Sequence, residues 1–488
     1  ACGSASAAWT ASSPTSAFEE KLYQYRPDRT PAPLETFRTK KQVRSVPADP
    51  AAIERGVRQL LADKVSGNLL GLWLLVSEHL RLGTWDLLCA WRGQAPARVE
   101  PRLALQLVHE AALCVTGVRQ ARCLSQKGFE VLNGLPFVAS DQAVHDLLEA
   151  HTVAEAQALQ RHLGLLRRAR GHFVGRLLAI DPHRLRSYSQ RQMPRYRGDE
   201  TSKPFKVAQT FFCLDADSHQ PVCFTAASSA VSVTQATPPL LALAEAILGP
   251  QPGQTLVVAD TEHYTAALLD HVATQTPFDL LVPMPQSRPL AAQMRAVPPD
   301  AFRPRWAGLA TARRPYRLKH GTAGSYWQLI QRTGETPETY EFTGFLSTAD
   351  RDELDDLTLE YPKRWHVEEF FNAYQALGWN RAGTLNQNIR TGQMTLALVA
   401  QAALHELRTR LGPPTASWDA EHLAQGLFRG LDGDLRITDD TLLVTYYNAP
   451  NPEGLRAHYE HLPERLAAEG ADPRLPWLYG FKLDIRFK

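Results

Sequence analysis

The chain has 488 residues, 44% of them hydrophobic, and a formal net charge of +2. That length predicts roughly two to four domains, and that apolar content excludes a chain too polar to fold. A balance so near neutrality excludes a uniformly basic nucleic-acid binder, so any such partner has to be met by local clusters of arginine.

Residues 1–50 are rich in Ser, Thr, Pro and Ala and read as a flexible arm. The opening Ala1–Ala8 is small and polar, without the basic-then-apolar order of a signal peptide. Residues 51–168 are helical by period, with apolar residues three and four apart in Ile53–Leu61, Leu70–Leu82, Leu103–Val115 and Val144–Leu166. Ser140 is a good N-cap after the Asn133-Gly-Leu-Pro136 break, as for the second helix of a helix-turn-helix. A plain helical bundle fits the same pattern, and we read the region as a helical DNA-binding segment.

The period then shortens to that of strands. Phe173–Ile180 predicts a strand ending at Asp181; Val207–Leu214 and Pro221–Thr225 predict a second and third. After a helix near Pro238–Leu248, Thr255–Ala259 predicts a fourth strand ending at Asp260. Another helix follows at Thr265–Thr274, and Phe278–Pro283 predicts a fifth strand. Residues 169–285 thus form the first part of an α/β domain. Residues 286–357 read as a β-rich insertion, basic through Arg303, Arg305, Arg313 and Arg314; 358–411 carry the domain's last helices and 412–488 a C-terminal region.

The stretch Tyr361–Gln375 carries most information. At about 100° per residue, Tyr361, Arg364, Glu368 and Gln375 share one strip beside an apolar stripe of Val367, Phe370, Phe371 and Tyr374. An ordinary amphipathic helix with one i,i+4 ion pair has the same pattern. Asp181, Asp260 and Glu368 together would make an oxygen-only set suited to Mg²⁺ or Mn²⁺. Two such ions about 3.5–4 Å apart are the usual arrangement for phosphodiester chemistry.

On these residues the chain resembles a bacterial insertion-sequence DDE transposase. Asp181 lies in Leu-Ala-Ile-Asp-Pro, Asp260 in Val-Val-Ala-Asp-Thr, and Tyr361, Arg364 and Glu368 match the Y-x2-R-x3-E-x6-K signature, with Gln375 where the family has Lys. The resemblance covers roughly residues 170–410. It implies an RNase H-like catalytic domain with a mixed five-stranded sheet and a β-strand insertion. It implies two divalent ions on Asp181, Asp260 and Glu368, and cleavage at inverted-repeat ends followed by strand transfer. It also implies double-stranded DNA as partner, a homodimer on that DNA, and a cytoplasmic, nucleoid-associated bacterial protein. A nuclease without strand transfer, or a decayed transposase that only binds DNA, are the alternative readings; Gln375 hints at the latter.

Tyr361, Lys363, Arg364 and Gln375 are the DNA contacts expected on the helix. Arg184, Arg186, Arg191 and Arg195 form a basic loop between the first two strands, where phosphate contact competes with simple solvation. Arg303, Arg305 and Trp306 are candidates in the insertion, Trp306 as a platform for an extruded base. The six cysteines form no CxxC pair or zinc-ligand spacing and read as thiols of a reducing cytoplasm. No P-loop and no apolar run of ~18 residues is present, so neither a nucleotide cofactor nor a membrane partner is expected.

Overall fold

A computed structural model describes residues 49–67, 69–92, 99–115, 124, 126–188, 192, 194–197, 203–319, 326–379 and 386–488, and the backbone of three strands before them. The chain divides into two compact units, Ala1–Asp49 and Pro50–Lys488. In the first, β1 (Ser6–Thr10), β2 (Ala17–Tyr25) and β3 (Pro31–Lys40) pair antiparallel in that order. The segment expected as an arm thus carries strands, built on β-formers such as Phe18, Tyr23 and Phe37 that its polar average conceals.

The second unit begins with helices Pro50–Leu60, Leu74–Arg81, Thr84–Arg92, Val99–Ala112, Lys127–Leu132, Asp141–Glu149 and Val153–Ala169, with a short β4 (Val65–Gly67) among them. The single run expected over Val144–Leu166 is two helices. Ser140 caps the first by accepting from the Ala143 amide, and Thr152 opens the second in a capping box with Glu155. The helix Asp141–Glu149, the one expected in a helix-turn-helix, buries Leu147 and Leu148 and exposes Gln142, His145, Asp146 and Glu149. An exposed face with two carboxylates and no Lys or Arg repels phosphate, which counts against that helix as a DNA reader.

Next come β5 (Leu177–Arg186), β6 (Val207–Asp215), β7 (Gln220–Ser228), β8 (Thr255–Val258) and β9 (Phe278–Pro283). β5, β6 and β7 are an antiparallel meander; β8 and β9 run parallel to β5, in the order β9-β8-β5-β6-β7. Every residue of β6 is buried, because helices cover both faces of this sheet. The helix Val233–Leu248 packs against β6 and β7 on one face, and the helices His366–Tyr374 and Gln387–Leu411 pack on the sheet as well. Val233–Leu248 starts five residues before the Pro238 at which the sequence predicts it. Ser232 and Gln235 form its capping box, and the two prolines lie inside it.

The insertion does not fold apart. Its strands β10 (Arg303–Trp306), β11 (Leu309–Tyr316), β12 (Tyr326–Thr333) and β13 (Glu341–Ser347) continue the same sheet, giving nine strands in the order β10-β11-β12-β13-β9-β8-β5-β6-β7. The join is a three-pair antiparallel register, Phe345–Pro283, Leu346–Val282 and Ser347–Leu281. Met294, Phe302, Ala310, Tyr326 and Ile330 of the insertion belong to one hydrophobic core with Leu178, Val257 and Leu280. The C-terminal region adds β14 (Gly433–Thr438), β15 (Thr441–Tyr446) and β16 (Lys482–Phe487). With β4 these make a four-stranded sheet, β16-β15-β14-β4. Residues 51–168 and 412–488 are therefore interlocked rather than separate. Arg102 Nε donates to the Trp477 carbonyl at 3.1 Å, Trp477 Nε1 to the Leu132 carbonyl at 3.0 Å, and the Tyr446 hydroxyl to the Leu70 carbonyl at 2.7 Å.

Candidate active site

Asp181 does not end β5. The strand runs on to Arg186, paired throughout with β6, and Asp181 sits mid-strand opposite Phe212. What ends there is the parallel pairing: its final pair is Ala179–Val258, so Asp181 and Asp260 each lie two residues beyond it. Both carboxylates thereby sit at one edge of the β5–β8 pair. Asp260 caps a short 3-10 turn, accepting from the Glu262 amide at 3.1 Å and from His263 Nδ1 at 2.6 Å.

Glu368 arrives on a helix anchored by aromatic packing. Phe370 and Phe371 meet Phe212 edge-on at ring-centre distances of 5.8 and 5.1 Å, and Trp379 packs on both Phe212 and Phe370. Each such pair is worth about 0.5–1.5 kcal/mol beyond area burial. The single regular helix expected over Tyr361–Gln375 is instead a series: a π-turn at Asp356–Glu360, a 3-10 turn at Tyr361–Trp365, the α-helix His366–Tyr374, and a 3-10 turn at Gln375–Leu377. Pro362, at the start of the 3-10 turn, lacks an amide donor, which breaks the α pattern before His366. The uniform angular count therefore applies only between His366 and Tyr374.

Arg364 is the link among the three acids. Its guanidinium lies 3.6 Å from Asp181 and 3.3 Å from Glu368, and it is buried over the Trp365 ring. Tyr361 is held edge-on against Phe345, 4.8 Å between ring centres; burial raises its hydroxyl pKa and the nearby Arg364 opposes that rise. Burial, then the charge of Asp260, pushes the Asp181 carboxyl up to about 7, with Arg364 pulling the other way. Burial, the largest single influence, would raise Asp260 too, but the hydrogen bond and charge of His263, the charge of Arg364 and the Glu262 amide together hold that carboxyl below its ordinary value. An oxygen-only donor set in which Asp181 is costly to ionise without a counter-charge fits a hard divalent cation. Among the described residues these three acids do not form a set with all ligand atoms within 4.8 Å, since Arg364 stands between Asp181 and Glu368.

The remaining predicted contacts divide. Lys363 turns away to Asp217 at 2.8 Å and Glu360 at 3.6 Å, a cluster completed by Arg176. Arg184 forms a two-pronged pair with Glu262, one prong at 2.9 Å, beneath the Tyr196 ring. Arg186 is exposed over Phe205, and Arg195 is exposed. Arg191 lies outside the described residues. Arg305 binds Thr311 and the buried Glu353 at 2.9 and 2.7 Å, so it holds the insertion together; Arg303 is exposed. Trp306 is 57% exposed beside a β-bulge. Gln375 is half-buried at the helix end. Arg390 is buried on Thr210 and the Ala227 carbonyl and is committed to packing. From the sequence, His263 beside Asp260 reads as a supporting or surface residue rather than a ligand; in the structure it supports Asp260 through Nδ1.

No protein-family model matches the chain, and no curated protein matches it. Among solved structures it is similar to a piggyBac transposase synaptic complex with hairpin DNA, at 11% sequence identity. The match covers 75% of this chain and 82% of that one with a TM-score of 0.34, too slight a likeness to define a shared fold. Among the described residues no helix is long and apolar enough to cross a membrane.

Proposed function

We propose that this chain is a DDE-type transposase with an RNase H-like catalytic domain, cutting DNA at transposon ends and transferring the freed 3′-hydroxyl strand. The observation that carries the reading is Arg364 between Asp181 and Glu368, with Asp260 at the same sheet edge. Arg364 pairs with Asp181 and Glu368 and its charge acts on Asp260, which supports the reading. Asp181, Asp260 and Glu368 are the residues that would hold Mg²⁺ or Mn²⁺. Bound there, such ions supply Lewis acidity that activates a water or 3′-hydroxyl and offsets charge on the leaving oxygen.

The chain's own groups do the positioning. His263 orients one Asp260 oxygen. Arg364 presents a fork-shaped donor that suits a phosphate oxygen, and Tyr361 forms a wall beside it. Exposed Arg186, Arg195 and Arg303 supply backbone contacts, and Trp306 a stacking surface for a displaced base. Double-stranded DNA is the partner, held by a homodimer. Gln375 in place of lysine keeps a hydrogen bond and loses a charge, which favours a decayed transposase that only binds DNA as the second reading.

The test is incubation with Mg²⁺ and a labelled duplex from the DNA flanking its own gene. The expected result is a break exposing a 3′-hydroxyl, lost in Glu368→Ala while duplex binding persists. Tight end-binding with no cut in Mg²⁺ or Mn²⁺ would overturn the catalytic reading and leave a DNA-binding protein.

A further inference from the structure

A second set of metal-ligating side chains lies on another side of the same helix. His219, His366 and Glu369 each offer one ligand atom, all within 4.8 Å of one another, and they are the set of this kind found among the described residues. Glu369 is about 100° around the helix axis from Glu368, so the two acids serve different surroundings. We propose that His219, His366 and Glu369 bind a divalent transition metal of the zinc class, clamping the turn between β6 and β7 to the first turn of the helix His366–Tyr374.

The hydrogen bonding prepares this site. His366 Nδ1 lies 2.7 Å from the Ala216 carbonyl, which only accepts, so Nδ1 carries the proton and Nε2 keeps its lone pair. An imidazole oriented by a backbone carbonyl through its other nitrogen is the usual support of a metal-ligating histidine. His219, on a left-handed backbone of φ 56°, stacks on His366 with ring centres 3.9 Å apart, so one ring must turn for both lone pairs to meet a shared ion. The turn carrying it is fixed by Asp215, whose carboxylate accepts from the Asp217 and Ser218 amides at 3.1 and 2.9 Å. Zn–N bonds of about 2.0–2.1 Å in a tetrahedral set place donors ~3.4 Å apart, so ligand atoms now within 4.8 Å of one another close on an ion by side-chain shifts of about 1–1.5 Å. Two imidazoles and one carboxylate favour zinc-class metals over magnesium, unlike the oxygen-only set around Asp181. A cavity of about 340 Å³, lined by His219, Glu369, Tyr374, His405 and Arg408, leaves room for a water or exogenous ligand as the fourth donor. This inference does not rest on the nuclease reading.

The test uses untagged, chelator-stripped, full-length protein in excess Mg²⁺, titrated with Zn²⁺ by calorimetry and with Co²⁺ by visible absorption. One tight Zn²⁺ per chain is expected, with a rise in melting temperature on saturation. His219→Asn and Glu369→Gln, both at exposed positions, should each weaken binding by more than about 100-fold, beyond what losing an outer partner costs. Glu368→Ala should bind Zn²⁺ as the wild type does. No Zn²⁺ binding, or equal affinity in both variants, would overturn the proposal whatever the outcome of the DNA-cleavage assay.

Discussion

At the scale of single residues, Arg364 governs the candidate active site. One guanidinium reaches two carboxylates through separate nitrogens, Nη1 toward Asp181 and Nη2 toward Glu368, a rigid planar fork that an ammonium, with its single nitrogen, does not reproduce. Arg364→Lys is expected to lower single-turnover cleavage by about 10²-fold, the cost of a misplaced reacting group. Far-ultraviolet circular dichroism should stay unchanged; cleavage at the wild-type rate would remove Arg364 from the positioning role. Arg167 is a residue of another kind. It is fully buried and donates to the Pro221 carbonyl at 2.6 Å, to Gln220 at 2.9 Å and to His172 Nδ1 at 3.2 Å. Arg167→Leu strands those acceptors, and urea denaturation should register a loss of about 1–3 kcal/mol for each one left unpaired. An unchanged urea midpoint would mean that neighbouring groups or water replace it.

At the scale of elements, the helices Val153–Ala169 and Gln387–Leu411 are joined by a polar latch. His172 accepts from Arg167 at Nδ1, so its Nε2 carries the proton and donates to Glu406 at 2.8 Å; Arg170 closes the other side with Nη2 at 3.1 Å. Burial alone would raise the Glu406 carboxyl, but the bonds from His172 and Arg170 hold it far below the usual carboxylate range. The folded pKa is therefore below the unfolded one of about 4.3. The sign follows: this stability is present in full above that value, begins to fall below it, and is lost as pH falls through the lower folded pKa. Urea midpoints measured from pH 6 to pH 3 should fall more steeply for the wild type than for Glu406→Gln; parallel slopes would exclude the latch.

Much of this element scale was legible in the sequence. The five strands from β5 to β9 were readable because β-branched and aromatic runs are bounded by Asp, Gly and Pro. The extension of β5 past Asp181 was not, because Pro182 and the basic run after it read as a loop, whereas antiparallel pairing with β6 carries the strand to Arg186. Ser232 and Gln235 were a readable cap, obscured by the two prolines that look like a helix start. The zinc-class set was invisible to spacing rules. His219 and Glu369 are far apart in the chain and meet only because a turn of the sheet packs on a helix.

At the scale of the whole molecule, the first and last parts of Pro50–Lys488 are bound by contacts too close for added atoms. A Cβ on Gly71 would lie 2.2 Å from the Leu427 carbonyl oxygen, and one on Gly134 would lie 2.2 Å from that of Trp477. Backbone cannot yield there as a flexible side chain would. Gly71→Ala should therefore cost about 1–3 kcal/mol, read by chemical denaturation of the full chain. If residues 51–168 and 412–488 melted independently, calorimetry would show two separable transitions. Their shared sheet and reciprocal hydrogen bonds predict one.

The nine-stranded sheet has a practical corollary for anyone editing this protein. Because β13 lies along β9, residues 286–357 act as a splint over an edge that would otherwise offer its amides and carbonyls to any passing strand. Excising the insertion to obtain a minimal chain would not yield a smaller copy of the same body. It would bare β9 and strip apolar cover from Val257 and Leu280, leaving an open strand edge as a template for self-association.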